Sequence, residues 1–153
     1  MSQSLAATIK TANDTLIVNG SLEEVGQFFT RDYVAHVTTR DLQGGHDVVR
    51  RVLKPLRRAF ADIQVDVQIF VKAGDRIAWQ RTLRGTHHRA FKGFPATGRS
   101  MVWRDMVTSR FEGGLIAEEW VITDLAERLL LARKGLHDGP GLAMKQRRLD
   151  GTI

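Results

Sequence analysis

The chain of 153 residues has the size of one domain and, with 42% hydrophobic and 26% charged residues, the composition of a folded globular protein. It contains no cysteine, which excludes disulfides and thiolate chemistry, and no apolar run near the roughly 20 residues of a membrane span. The net charge of +6 invites nucleic acid as a ligand, but no zinc-ligand spacing, RNA-binding strand motif or heptad repeat accompanies it, which argues against that class.

The opening MSQSLAATIK lacks a charged-then-apolar leader pattern, so the cytoplasm is the expected location. Apolar residues of LAATIKTANDTLIV recur at helical spacing and stop at Asn19-Gly20. Ser21 and Glu24 have the spacing of a capping box that opens a further helix over SLEEVGQFF. A short segment, DYVAHV, leads to a basic helix over 46–60, where Val48, Val49, Val52, Leu53, Leu56, Ala59 and Phe60 interleave with arginines and Lys54. Those charges read as a solvated face, and the basic surface equally suits an anionic small molecule or an acidic partner. Pro55 predicts a kink or a late break in that helix.

From residue 63 the period becomes alternating. IQVDVQIFVK places Val65, Val67, Ile69 and Val71 on one face of a strand. AGDR (73–76) is a hairpin turn, and IAWQRTLRGTH returns with Ile77, Trp79, Arg81, Leu83 and His87 on a common face and His88 on the other. FKGFPATG is a loop. RSMVWRDMVTSRFE and LIAEEWVITD are two more strands joined by Gly113-Gly114, and residues 125–134 make a last helix. The order of helices and then antiparallel strands defines an α+β domain over 1–134, with 135–153 as a mobile or docking tail.

A two-residue turn at Gly113-Gly114 pairs Glu112 with Leu115 and sets a register. Counting outward puts Val107 opposite Trp120, Asp105 opposite Ile122 and Trp103 opposite Asp124, all on one apolar, aromatic face with two carboxylates. Such a face suits a small-molecule pocket as well as a filled core. Asp105 is equally suited to chemistry and to an ion pair with Arg81. Asp124 with Glu127 has the pattern of a helix cap, so cap and catalyst are both open for Asp124 at this stage.

DYVAH, LRGTHHRAFKGFPATGRSMVW and RFEGGLIAEEWVITD together resemble the SnoaL-like polyketide cyclases of the nuclear transport factor 2-like superfamily, over about residues 13–133. The resemblance implies a cone-shaped α+β barrel, with N-terminal helices packed on a curved, mainly antiparallel sheet that often mediates homodimers. It implies intramolecular aldol ring closure of an aromatic polyketide ester, with neither metal nor organic cofactor. Asp124 matches the acid/base aspartate, His87 a family histidine, and His36 the histidine of YV.H. The expected catalytic set is therefore Asp124, His87, His36 and Asp105, and the expected substrate walls are Trp79, Trp103, Trp120, Arg81 and Phe91.

The sequence departs from the pattern where some cyclases carry a histidine on the penultimate strand; MVWRDMVTSRF offers Arg104, Asp105 and Arg110 instead. Relatives of similar appearance take part in ring hydroxylation, so a hydroxylation component served by a separate reductase is the alternative. A third reading, from another class, is a non-catalytic binding or dimerisation module.

Overall fold

The computed structural model describes residues 4–38 and 40–135; the expected tail from 136 onward lies outside the described residues. Ser4 begins the first helix, its hydroxyl oxygen accepting the Ala7 amide at 3.1 Å. Helix α1 (Leu5–Ala12) runs on as a π-helical segment, Asn13–Val18. It ends where Arg57 donates to the carbonyl of Ile17 at 3.0 Å, placing a cation on the last carbonyls. The capping box expected at Ser21 is absent, because Leu22–Gln27 is a 3₁₀ segment and the Glu24 amide bonds the carbonyl of Ser21 at 3.0 Å rather than its hydroxyl.

Six strands form one curved sheet: β1 (Phe29–Val37), β2 (Arg40–Gln43), β3 (Gln64–Ala73), β4 (Arg76–Thr86), β5 (Ser100–Glu112) and β6 (Leu115–Thr123). Their spatial order is β2-β1-β6-β5-β4-β3, and β1 with β6 is the parallel pair among otherwise antiparallel neighbours. The short polar β2 carries no alternating signal and was not expected. Helix α2 (His46–Ala59) passes through Pro55 without a break. The carbonyl four residues back belongs to Arg51, which is exposed like Pro55 itself, so the interruption falls on the exposed side of the helix and not in the core. Helix α3 (Leu125–Arg133) buries Leu125, Leu129 and Ala132 and packs against β5.

Two bulges redirect side chains. On β3 the register shifts between Ile69 and Val71, so Val65, Val67 and Ile69 pack on the core while Val71 turns outward at 57% exposure. On β6 the extra residue is Ala117: Phe111 pairs with Ile116, but Arg110 already pairs with Glu118. Beyond it Val107 faces Val121 and Asp105 faces Thr123, one residue away from the expected register. That single insertion moves Trp120, Ile122 and Asp124 to the outer side and brings Glu119 to the inner one. Trp79 and Trp103 stay inside, both almost fully buried.

Candidate active site

The concave face of the sheet, α1 and α2 enclose a cavity of about 520 Å³. Its walls are largely apolar, with Phe29, Tyr33, Trp79, Phe91, Phe94 and Trp103 as the aromatic members. The polar groups set into them form two connected clusters.

The first is centred on Arg81 of β4. Its Nε donates to Asp105 Oδ2 at 2.7 Å, and its Nη1 donates to Asn13 Oδ1 at 3.2 Å. Asn13 is held in turn by donating from Nδ2 to the Ile9 carbonyl at 2.8 Å. Burial disfavours charge on the guanidinium, but the Asp105 carboxylate beside it prevails and holds Arg81 above its ordinary pKa. Asp105 Oδ1 is buried with no hydrogen-bond partner. A buried carboxylate oxygen without a donor is costly, and the compensation Asp105 has is the Arg81 bond to its other oxygen.

The second cluster is centred on Glu119 of β6. Tyr33 donates its hydroxyl to Oε1 at 2.8 Å, and Ser109 donates to Oε2 at 2.5 Å. Trp79 completes the chain by donating Nε1 to Ser109 Oγ at 2.9 Å. Burial raises the Glu119 pKa above the ordinary carboxylate value, and the Asp105 charge adds to it against opposition from Ser109, Arg81 and Tyr33. Burial also pushes the Tyr33 phenol well above its usual value, so it remains a donor.

The residues expected from sequence divide accordingly. Asp105, Arg81, Trp79, Trp103 and Phe91 line the cavity together. Asp124 does not: its Oδ1 accepts the Arg104 amide at 2.8 Å and its Oδ2 accepts from Arg128 at 3.3 Å, tying the ends of β5 and α3 together. Its side chain forms no helix-capping bond either; the hydroxyl of Thr123 accepts the Leu125 amide instead. The bulge at Ala117 is the physical reason that Asp124 turns away from the cavity wall where the regular register had placed it. His87 is inward and fully buried as expected, but it stacks on Phe60 at 5.3 Å and is not part of the cavity wall. Desolvation lowers its pKa, favouring the neutral ring.

His36 lies on the outer side of the sheet, stacked on Trp120 at 5.2 Å. Its ring nitrogens meet Asp41 at 2.7 Å and Glu118 at 2.6 Å. Trp120 also carries Arg76 over its ring at 5.0 Å, so it serves this outer cluster and not the substrate wall. Among the described residues no three histidine, cysteine or acidic side chains are grouped to hold a metal. Sequence reasoning missed Tyr33, Asn13, Ser109 and Glu119. The signal for Glu119 was present in LIAEEW, where adjacent acidic residues in an apolar strand put one carboxylate on each face.

Comparison with known proteins adds to this geometry. Residues 7–130 match the family model for SnoaL-like polyketide cyclases. No curated protein matches the chain in sequence. IdmH of Streptomyces antibioticus, a candidate polyketide cyclase, is similar at 28% identity and TM-score 0.72, over 87% of this chain and 99% of its own. AclR of Streptomyces galilaeus, a candidate hydroxylase, is similar at 26% identity and TM-score 0.68, over 86% of this chain and 92% of its own. A candidate polyketide cyclase from Acidithiobacillus ferrooxidans, at 23% identity and TM-score 0.74 over 86% and 99% of the two chains, shares the fold.

Proposed function

Because the chain belongs to the SnoaL-like polyketide cyclase family, we propose that its cavity closes a ring in an aromatic polyketide intermediate by intramolecular aldol addition, with Glu119 as the proton shuttle. The observation that carries this reading is a buried carboxylate whose pKa is raised, set in the wall of an aromatic cavity beside a charged Arg81. A carboxylate raised toward working pH both takes a proton and returns it efficiently.

A methylene flanked by a carbonyl and an aromatic system gives its proton to Glu119. The enolate forms next to the Arg81 guanidinium, whose Nη2 has no protein acceptor among the described residues. A fixed cation there stabilises the oxygen that gains charge in the transition state. The enolate carbon attacks the second carbonyl, one C–C bond forms, and the new alkoxide recovers the proton from Glu119. Asp105 holds the Arg81 head by its 2.7 Å bond and, as a second carboxylate, favours the protonated form of Glu119. Trp79, Trp103 and Phe91 supply flat apolar walls for a polycyclic ring system.

The likeness to AclR makes ring hydroxylation the competing reading. Product mass separates the two, since aldol ring closure is isomeric and hydroxylation adds one oxygen. Incubation of the chain with an anthraquinone bearing a ketone side chain is expected to give a product of unchanged mass; a product heavier by one oxygen would overturn the cyclase reading.

A further inference from the structure

One chain of hydrogen bonds crosses four neighbouring strands of the sheet. It runs from Trp79 of β4 through Ser109 of β5 and Glu119 of β6 to Tyr33 of β1, with lengths of 2.9, 2.5 and 2.8 Å. All four residues are buried, and Ser109, which pairs with Glu119 in the ladder of β5 and β6, is completely so.

The direction of this chain is set at its Trp79 end. An indole N–H only donates, so Ser109 Oγ must accept from it. The one hydrogen of that hydroxyl is then left for Glu119, since Ser109 has no other hydrogen-bond partner among the described residues. Oε2 of Glu119 is therefore held in the acceptor role. The other end is not locked. Tyr33 meets Glu119 alone, its hydroxyl receives no donor among the described residues, and a phenol oxygen both donates and accepts. The two carboxyl oxygens differ in access as well, because Tyr33 lines the cavity with Glu119 and Ser109 does not. The charged and titratable groups around Glu119 are Tyr33 of β1, Asp105 of β5 and Arg81 of β4. None of them donates to Oε2 in place of Ser109.

We infer that Glu119 carries its proton on Oε1, on the Tyr33 side, and that Ser109 and Trp79 are positioning residues that keep it there. The catalytic meaning of that placement rests on Glu119 being the proton shuttle. The proton of the substrate methylene passes to Oε1, and the Tyr33 hydroxyl turns from donor to acceptor. The same oxygen then releases the proton to the new alkoxide, while Oε2 keeps its bond from Ser109 throughout. No proton escapes in the other direction, because the far end of the chain is an N–H that accepts nothing.

Infrared difference spectra of the full chain, taken across the pH at which Glu119 takes up its proton, test this directly. The C=O stretch of the protonated carboxyl is assigned by its loss in Glu119→Gln. It reports the hydrogen bond on whichever oxygen lacks the proton, and removing the donor to that oxygen raises its wavenumber. The band is expected to move to higher wavenumber in Ser109→Ala, to return towards its original position in Ser109→Thr, and to stay in place in Tyr33→Phe. In Trp79→Phe the Ser109 hydroxyl is free to turn and accept, so a second band is expected beside the first. The Ser109→Ala/Trp79→Phe variant is expected to show the single band of Ser109→Ala, a dependence that a mere packing role of Trp79 would not produce. Thermal melting checks that each variant is folded, and if Ser109→Ala is not, Tyr33→Phe decides alone. A band shifted in Tyr33→Phe would put the proton on Oε2 and overturn the inference. A band unmoved in folded Ser109→Ala would overturn it too, as would the absence of any Glu119 band down to the acid limit of the fold. The shuttle reading is judged separately, by the turnover of Glu119→Gln.

Discussion

Tyr33 and Glu119 are 86 residues apart in the chain and joined by a hydrogen bond of 2.8 Å, phenol to buried carboxylate. The bond links β1 to β6 across their parallel pairing and leaves the carboxylate anchored on the cavity wall. Because the donor stabilises the charged form of Glu119, Tyr33→Phe is expected to raise the Glu119 pKa further. The acidic limb of the kcat/KM profile then moves to higher pH, and stability falls by about 1–2 kcal/mol for a lost hydrogen bond to a carboxylate. An unmoved acidic limb in Tyr33→Phe would detach this carboxylate from the profile.

His36 gives the protein a pH-dependent stability of a definite sign. Hydrogen bonds to Glu118 and then Asp41 raise its pKa above the ordinary 6.5, so the ion pair is fully present below about pH 6.5 and is lost as pH rises through the raised folded value. Glu118, whose pKa is lowered chiefly by its bond to His36, contributes above its ordinary value of 4.5 and loses that contribution as pH falls through the lowered one. Thermal unfolding of the wild type and of His36→Gln between about pH 6 and about pH 9 is expected to show the steeper decline in the wild type. Parallel declines would mean that the cluster carries no linkage.

Asp124 is a structural residue in this account. Asp124→Asn keeps an acceptor for the Arg104 amide, so activity is expected to stay within about twofold and stability within about 1 kcal/mol of the wild type. Asp124→Ala removes that acceptor and is expected to cost about 1–2 kcal/mol, read by chemical denaturation, again with little change in turnover.

Gly45 is the position where glycine is required most stringently. It precedes α2 with φ 61° and ψ −131°, and a Cβ there would lie 1.9 Å from the Arg31 carbonyl oxygen. Its amide also donates to the Tyr33 carbonyl at 3.2 Å, so the turn cannot move without disturbing the strand that carries Tyr33. Gly45→Ala is expected to destabilise the fold by about 3 kcal/mol or more, through strain and clash together.

The parts of this architecture legible in the sequence were those set by local periodicity and turn chemistry. The helical spacing before Asn19, the Ala73–Arg76 turn and the alternation in IAWQRTL each produced the element expected of them. The shared parity of Arg81 and Asp105 foretold the ion pair now seen at 2.7 Å. Legibility ended where a non-local event decides the face. LIAEEWVIT does not alternate: Ile116 and Ala117 are buried in succession, and here the strand accommodates them with a bulge. Read as a regular strand, it delivers Asp124 inward and hides Glu119. The long-range partners of Glu119 were equally out of reach, since nothing local to DYVAH says that its tyrosine will meet a carboxylate on a parallel neighbour.

The central claim is that Glu119, and not Asp124, moves the proton. Its most direct test is the steady-state turnover of an anthraquinone ketone substrate by Glu119→Gln beside Asp124→Asn, with folding of both variants checked by thermal melting. The account predicts that Glu119→Gln loses about 10²–10⁴ in kcat with KM changed only a few-fold, while Asp124→Asn turns over like the wild type. Wild-type turnover by Glu119→Gln, or collapse of turnover in a well-folded Asp124→Asn, would contradict it.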